Sequence, residues 1–231
     1  MDQLPYFDIH GHCRSQIENA VVVQNLSMDD LTRRETKGVH NTAGIHPWWT
    51  EDFTRAEILK LQEHIMLLVR EKRLWAIGET GIDRGYPETL EFQTELFHWH
   101  RELADDFGLP LVIHNVRSGS DFLNILKKNP PKSPWIFHDF RGNEQLVKDL
   151  LRLHPGCYFS FGISIDNSPQ IRELLPTLPL SQVFLETDNQ KHLDIHEIYL
   201  RASEKIGIDL DFLKSQIWLN FKRISPQEIP Q

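Results

Sequence analysis

The chain has 231 residues, 40% hydrophobic and 25% charged, with a net charge of −8. This is an ordinary globular composition, long enough to bury a sizeable core, and it excludes a broad basic surface for non-specific nucleic-acid binding. No stretch approaches the roughly 20 apolar residues of a membrane span, the opening "MDQLPYFDIH" lacks the basic and apolar regions of a signal peptide, and two cysteines are too few for a disulfide framework; a cytoplasmic protein with no membrane association is expected.

The first candidate strand, "LPYFDIH" (4–10), ends in His10, with His12 two positions on. "AVVVQNL" (20–26) and "GVHNTAGIH" (38–46) follow across gaps of about ten residues, too short for full crossover helices. A helical stretch then fills 54–72, placing Ile58, Leu61, Ile65, Leu68 and Val69 on one apolar stripe. "LWAIGE" (74–79) ends in Glu79 and precedes a helix over 88–107; "LPLVIHN" (109–115) carries His114 and precedes one over 119–128. "PWIFHDF" (134–140) carries His138 and leads to 143–153, and "GCYFSFG" (156–162) leads to 168–175. "QVFLETD" (182–188) brings Glu186 and Asp188 before helices at 195–206 and near 210–220.

Eight apolar runs alternating with helices predict an α/β chain folded as a (β/α)8 barrel, with the first outer helices shortened or missing. No repeat, linker or low-complexity tract divides it, so residues 1–231 read as one domain. In such a barrel chemistry belongs at the C-terminal ends of the strands, and that is where the ligand-type residues fall. Residues i and i+2 of a strand share a side, so His10 and His12 converge, as do Glu186 and Asp188. Any one of these histidines alone reads as a hydrogen-bonded core or surface histidine. Four imidazoles with close carboxylates at one end of the strands are most simply satisfied by cations, and this donor set can hold two divalent ions that clamp an attacking and a leaving oxygen. Imidazole suits zinc or manganese, and carboxylates also suit magnesium.

"DIHGH" (8–12), "GIHPW" (44–48), "GETGID" (78–83), "LPLVIHNVR" (109–117), "HDFRG" (138–142), "YFSFG" (158–162) and "LETD" (185–188) occur in this order. Together they resemble the TatD family, metal-dependent deoxyribonuclease-like hydrolases of the amidohydrolase superfamily. The resemblance implies two divalent ions, the first held by His10, His12 and Asp188, the second by His114 and His138, with Glu79 bridging. It implies that Asp188 also accepts a proton from the attacking water, that Arg117 faces a substrate oxyanion, and that His46 and Glu186 border the substrate. Trp48 and Trp49, next to His46, offer faces on which a base could stack, or else pack on the barrel rim. The chain departs from the family pattern in lacking a full helix after the first strand, in the Asp139 of "HDF", in Asn115, and in the "NQK" that follows Asp188.

The leading expectation is a phosphodiesterase acting on DNA ends or short single-stranded nucleic acid. A second is an ester or amide hydrolase such as an aminoacyl-tRNA deacylase. A third is a subunit dependent on a protein partner at the thin front flank of the barrel. Two further histidine pairs are expected to bind no metal. "HWH" (98–100) lies in a helix, where i and i+2 diverge, and "HLDIH" (192–196) lacks the glutamate of the helical zinc motif.

Overall fold

The computed structural model describes residues 4–13, 18–33, 35–36, 40–190 and 192–226. The eight apolar runs form eight parallel strands in sequential order: β1 (Tyr6–Gly11), β2 (Ala20–Asn25), β3 (Asn41–Ala43), β4 (Ala76–Asp83), β5 (Leu111–Val116), β6 (Trp135–Phe137), β7 (Cys157–Phe161) and β8 (Val183–Leu185). A six-residue helix α1 (Met28–Arg33) follows β2, and α2 (Trp49–Asp52) and α3 (Arg55–Arg70) follow β3. Next come α4 (Leu90–Phe107), α5 (Gly119–Lys128), α6 (Glu144–Leu153), α7 (Ser164–Asn167), α8 (Pro169–Leu174), α9 (Ile195–Ile206) and α10 (Leu210–Ile224). Among the described residues no helix is long and apolar enough to cross a membrane.

The five-residue stripe anticipated on α3 is its buried face, and a capping box between Thr54 and Glu57 starts that helix. The front of the barrel is thin as expected. Only residues 12–19 link β1 to β2, and whether they hold any helical turn lies outside the described residues, since 14–17 are among those not described. Part of the cover that could have come from a partner comes from the chain itself. Helices α9 and α10 pack against β1. Phe221 of α10 sits 3.9 Å, centroid to centroid, from Phe7 and 5.4 Å from Trp75, closing the end of the barrel away from the strand C-termini.

Several strands are shorter than the sequence predicts. β6 and β8 end before His138 and Asp188, and Asp139 and Asp188 take left-handed conformations, φ 36° and 51°. His138 and Asp188 thus sit past the ends of their strands, whereas His10, Glu79 and His114 lie within β1, β4 and β5.

The barrel closes unevenly. At the C-terminal end the seam between β1 and β8 is joined by backbone, His12 N donating to Asp188 O at 3.0 Å and Asp188 N to His10 O at 2.9 Å. At the other end a side chain satisfies the edge of β1. The Tyr199 hydroxyl of α9 accepts from Phe7 N at 3.1 Å and donates to Phe7 O at 2.9 Å. Tyr199→Phe strands both buried groups, at about 1–3 kcal/mol each. A loss of about 2–4 kcal/mol in denaturant stability is expected, and a loss below about 0.5 kcal/mol would show that this hydroxyl does not hold the edge of β1.

Candidate metal centre

Glu79 is the hub. It lies within β4 at 5% exposure, and five imidazoles surround its carboxylate. Its Oε1 is 2.7 Å from His138 Nε2, 2.9 Å from His114 Nδ1 and 3.0 Å from His46 Nε2. Its Oε2 is 3.4 Å from His10 Nε2 and 3.8 Å from His12 Nε2. Asp188 Oδ1 completes the second side, 3.4 Å from His12 and 3.8 Å from His10. Two glycines permit the approach of the strands. A Cβ on Gly81 would stand 1.9 Å from His114 O, and one on Gly44 would stand 2.5 Å from Glu79 O. Asn25, at the end of β2, steadies Glu79 by accepting from its backbone N at 3.2 Å and donating to Oε2 at 3.4 Å.

Two carboxylate oxygens cannot satisfy five imidazoles, and the donor set fits a pair of divalent ions better than it fits itself. Neither ring nitrogen of the fully buried His10 has a hydrogen-bond partner among the described residues, and neither does His138 Nδ1. Three groups of side chains bring ligating atoms within 4.8 Å of one another: His10, His12 and Glu79; His10, His138 and Asp188; and His46, Glu79 and His114. Without ions the charges compensate locally. Burial opposes the charge of Glu79, but His138, His46, His10 and His114 outweigh it and hold the carboxyl well below its ordinary range. Burial likewise opposes protonation of His138, yet Glu79 and Glu186 push it well above an ordinary imidazole. His12 and His114 are raised in the same way, against burial, by Asp188 and Glu79 and by Asp83 and Glu79 respectively. Bound ions would take the place of those protons.

A family model described as "TatD related DNase" matches residues 9–225. The chain belongs to the TatD family. A relative in Mycobacterium tuberculosis, named as the metal-dependent hydrolase TatD, is 30% identical over 156 residues, 65% of this chain and 58% of its own length. The human deoxyribonuclease TATDN3 is 30% identical over 158 residues, 66% of this chain and 56% of its own length. The matched part of the chain therefore spans a little over half of each of these relatives. The crystal structure of YJJV, a TatD homologue from Escherichia coli, superposes with a TM-score of 0.79 at 19% identity, covering 97% of this chain and 99% of that one. At that identity it is the fold that is shared.

The TatD motifs converge, but not every residue takes the expected place. His46, expected to border the substrate, reaches the Glu79 carboxylate and joins the ligand cluster. Glu186 is fully buried and does not face the cavity. It lies behind His138, 3.6 Å from Nδ1, accepting from Asp139 N at 2.8 Å and from the Ser160 hydroxyl. Glu186 and Asp188 both lie past the end of β8 at Leu185, so strand alternation does not pair them. Arg117, also left-handed at φ 54°, is exposed beyond β5 and is not among the residues lining the cavity, so the structure does not bring it to the cluster. Trp48 and Trp49 do line that cavity, which has a volume of about 540 Å³, together with Leu26, Met28 and Val116.

Two further carboxylates of the TatD site stand outside the ligand set expected from the sequence. Asp83 stands 3.1 Å from His114 Nε2, so it fixes the tautomer that turns Nδ1 toward Glu79. Burial works against its charge, yet bonds from His114, Trp48 and Gly85 hold its carboxyl at about 2. Its even spacing from Glu79 along β4 was the available signal. Asp8 accepts from Thr187 N at 3.1 Å and Thr187 Oγ1 at 2.6 Å, pinning the segment that carries Asp188. Burial pushes its carboxyl up to about 7.

Of the other histidines, His100 is a core residue. Its Nε2 accepts from Ile45 N at 3.0 Å and its Nδ1 is 2.7 Å from Leu96 O. Burial pushes this imidazole down to about 4. Between about pH 6.5 and 4 the unfolded chain therefore binds a proton that the folded chain excludes, and stability falls as pH falls, by about 3 kcal/mol over that window. Denaturant titrations of wild type and His100→Gln with chelator present check this. The variant is expected to lack this part of the slope, and equal slopes would contradict it.

Proposed function

We propose that this TatD-family hydrolase cleaves phosphodiesters at the ends of DNA or in short single strands. The observation that carries the reading is the single carboxylate, Glu79, set between two groups of ligating side chains at the floor of an open cavity. His10, His12 and Asp188 would hold one divalent ion, His114 and His138, with His46, would hold the other, and Glu79 would be shared. When bound, such a pair supplies Lewis acidity toward the phosphoryl oxygens and an attacking water activated near neutral pH.

The chain's own residues would do the rest. Asp188 is 29% exposed at the cavity floor, whereas Glu79 is 5% exposed. Burial opposes its charge, but the hydrogen bond from His12 prevails and keeps the carboxyl below its ordinary value. It is therefore ionised at neutral pH and placed to accept the proton of the attacking water. Asp83 holds the imidazole of His114 in orientation, and Glu186 places a carboxylate 3.6 Å behind His138. Trp48 and Trp49 offer aromatic surface for a base. Among the described residues lining the cavity there is no lysine or arginine, and the net charge is −8. Both features favour a strand end over a long duplex, whose many phosphates need many cations.

A second reading is supported by Asp139, an acid in the cavity wall whose Oδ2 pairs with Arg141 at 2.8 Å and whose Oδ1 is left for a substrate cation. A carboxylate there could receive the ammonium of an aminoacyl ester. Incubating the protein with a labelled single-stranded oligonucleotide and with an aminoacyl-tRNA, across magnesium, manganese and zinc, separates the two. Shortening of the oligonucleotide is expected. An untouched oligonucleotide beside a deacylated tRNA would overturn the nuclease reading.

A further inference from the structure

Asp83 touches two parts of the site at once. Its Oδ2 accepts from the Trp48 indole Nε1 at 2.7 Å and lies 3.1 Å from Nε2 of His114, while its Oδ1 accepts from Gly85 N at 2.8 Å. Gln93 Oε1 fixes the backbone of Asp83, accepting from its N at 2.8 Å. All three side-chain partners act as donors, which suits an ionised carboxylate and nothing else of that shape. An asparagine in its place would turn an NH₂ group either toward Gly85 or toward the Trp48 and His114 pair.

Trp48 is the other half of the observation. It is 48% exposed, so packing alone does not fix its ring. Its face nevertheless borders the cavity, edge-on to His46 with centroids 4.7 Å apart and 6.0 Å from the ring of Tyr86. The bond to a buried carboxylate supplies the orientation that packing does not.

We propose that Asp83 is a positioning residue that tethers the aromatic wall of the cavity to the metal ligand His114, so that loading of the metal centre sets the Trp48 indole for a flat aromatic group of the substrate. The proposal rests on the metal-dependent nuclease reading, in which that group is a nucleobase next to the scissile bond. A divalent ion held by His114 would draw electron density from the imidazole and make its N–H to Asp83 the stronger donor. Oδ2 is shared, so Trp48 feels the change. The tether thereby adds a hydrogen-bonded link between metal occupancy and the placement of the base to the edge-on contact that Trp48 makes with His46.

The test reads the indole N–H of Trp48 by NMR in protein labelled with ¹⁵N at tryptophan, with Trp48→Phe identifying the resonance. In metal-free wild type this resonance is expected at low field, and Asp83→Asn should move it upfield. Titrating manganese-free zinc or magnesium into wild type should move it in step with occupancy, and Asp83→Asn should raise the dissociation constant of at least one ion roughly 10- to 100-fold. Trp48→Phe keeps a ring but removes the donor, and should raise KM for the oligonucleotide about 2- to 10-fold, the loss expected for one hydrogen bond. A Trp48 resonance that ignores both Asp83→Asn and the metal titration overturns the tether. So does a Trp48→Phe protein with wild-type KM when Trp48→Ala weakens binding, an outcome that leaves base stacking intact. If Asp83→Asn fails to fold, the wild-type titration and Trp48→Phe still decide. A protein that moves the resonance on metal binding yet cleaves no oligonucleotide supports the tether and overturns the nuclease reading alone.

Discussion

Replacing Asp188 by asparagine should lower turnover roughly 10²- to 10⁴-fold, equivalent to about 3–5 kcal/mol in the barrier. The amide keeps the shape and can still accept from His12, whose ring nitrogen lies 3.4 Å from Oδ1. It has neither the charge to help hold an ion nor the basicity to take a proton. The backbone bonds that tie Asp188 to His10 and His12 do not involve its side chain, so the seam survives. Steady-state kinetics with metal analysis on the same preparation separates lost ligation from lost proton transfer. Near-normal turnover with both ions bound would remove Asp188 from the chemistry.

Glu79→Gln should be more damaging still, because it removes the one group common to both halves of the centre. Ion affinity should fall by more than the roughly 10- to 100-fold that follows loss of an outer hydrogen-bond partner. Metal-free stability should fall by about 3 kcal/mol, in the range for a buried charge that loses its partner. The pH dependence of that loss has a definite sign. His138, His12 and His114 are raised in part by Glu79, so the stabilisation they give is complete below about pH 6.5 and fades as pH rises through their folded values. Glu79 itself is lowered, so its share is present above about pH 4.5 and fades in acid. The gap between wild type and Glu79→Gln should therefore be widest between about pH 4.5 and 6.5 and should narrow toward pH 9. Denaturant curves in chelator at three pH values check it, and a gap that widens in alkali would contradict the arrangement of charges described here.

The barrel was legible because parallel strands buried on both faces read as continuous apolar runs, and six of the eight end in or near a ligand-type side chain. The convergence of His10, His12, Glu79, His114, His138 and Asp188 follows from that topology alone. What alternation could not give was depth. Glu186 and Asp188 are two apart and look equivalent in a strand, but past the end of β8 one lies behind His138 and the other at the cavity floor. Arg117 misled for a related reason, since its left-handed backbone ends the periodicity of β5. His46 joins the centre from a loop whose path depends on how closely Gly44 lets it approach Glu79, a distance with no signature in one sequence.

The hydroxyl of Tyr199 has a consequence for how the protein is born. It serves the backbone of Phe7 across a separation of 192 residues. At synthesis rates of roughly 5–20 residues per second, Phe7 waits on the order of 10–40 s on the ribosome before Tyr199 has been made. Through that interval the side of β1 away from β2 is an unpaired edge, the kind of surface on which nascent chains associate wrongly. His10 and His12 emerge with β1, and Asp188 emerges only shortly before Tyr199. The group of ligating side chains that includes Asp188 thus stays incomplete until that segment has been made.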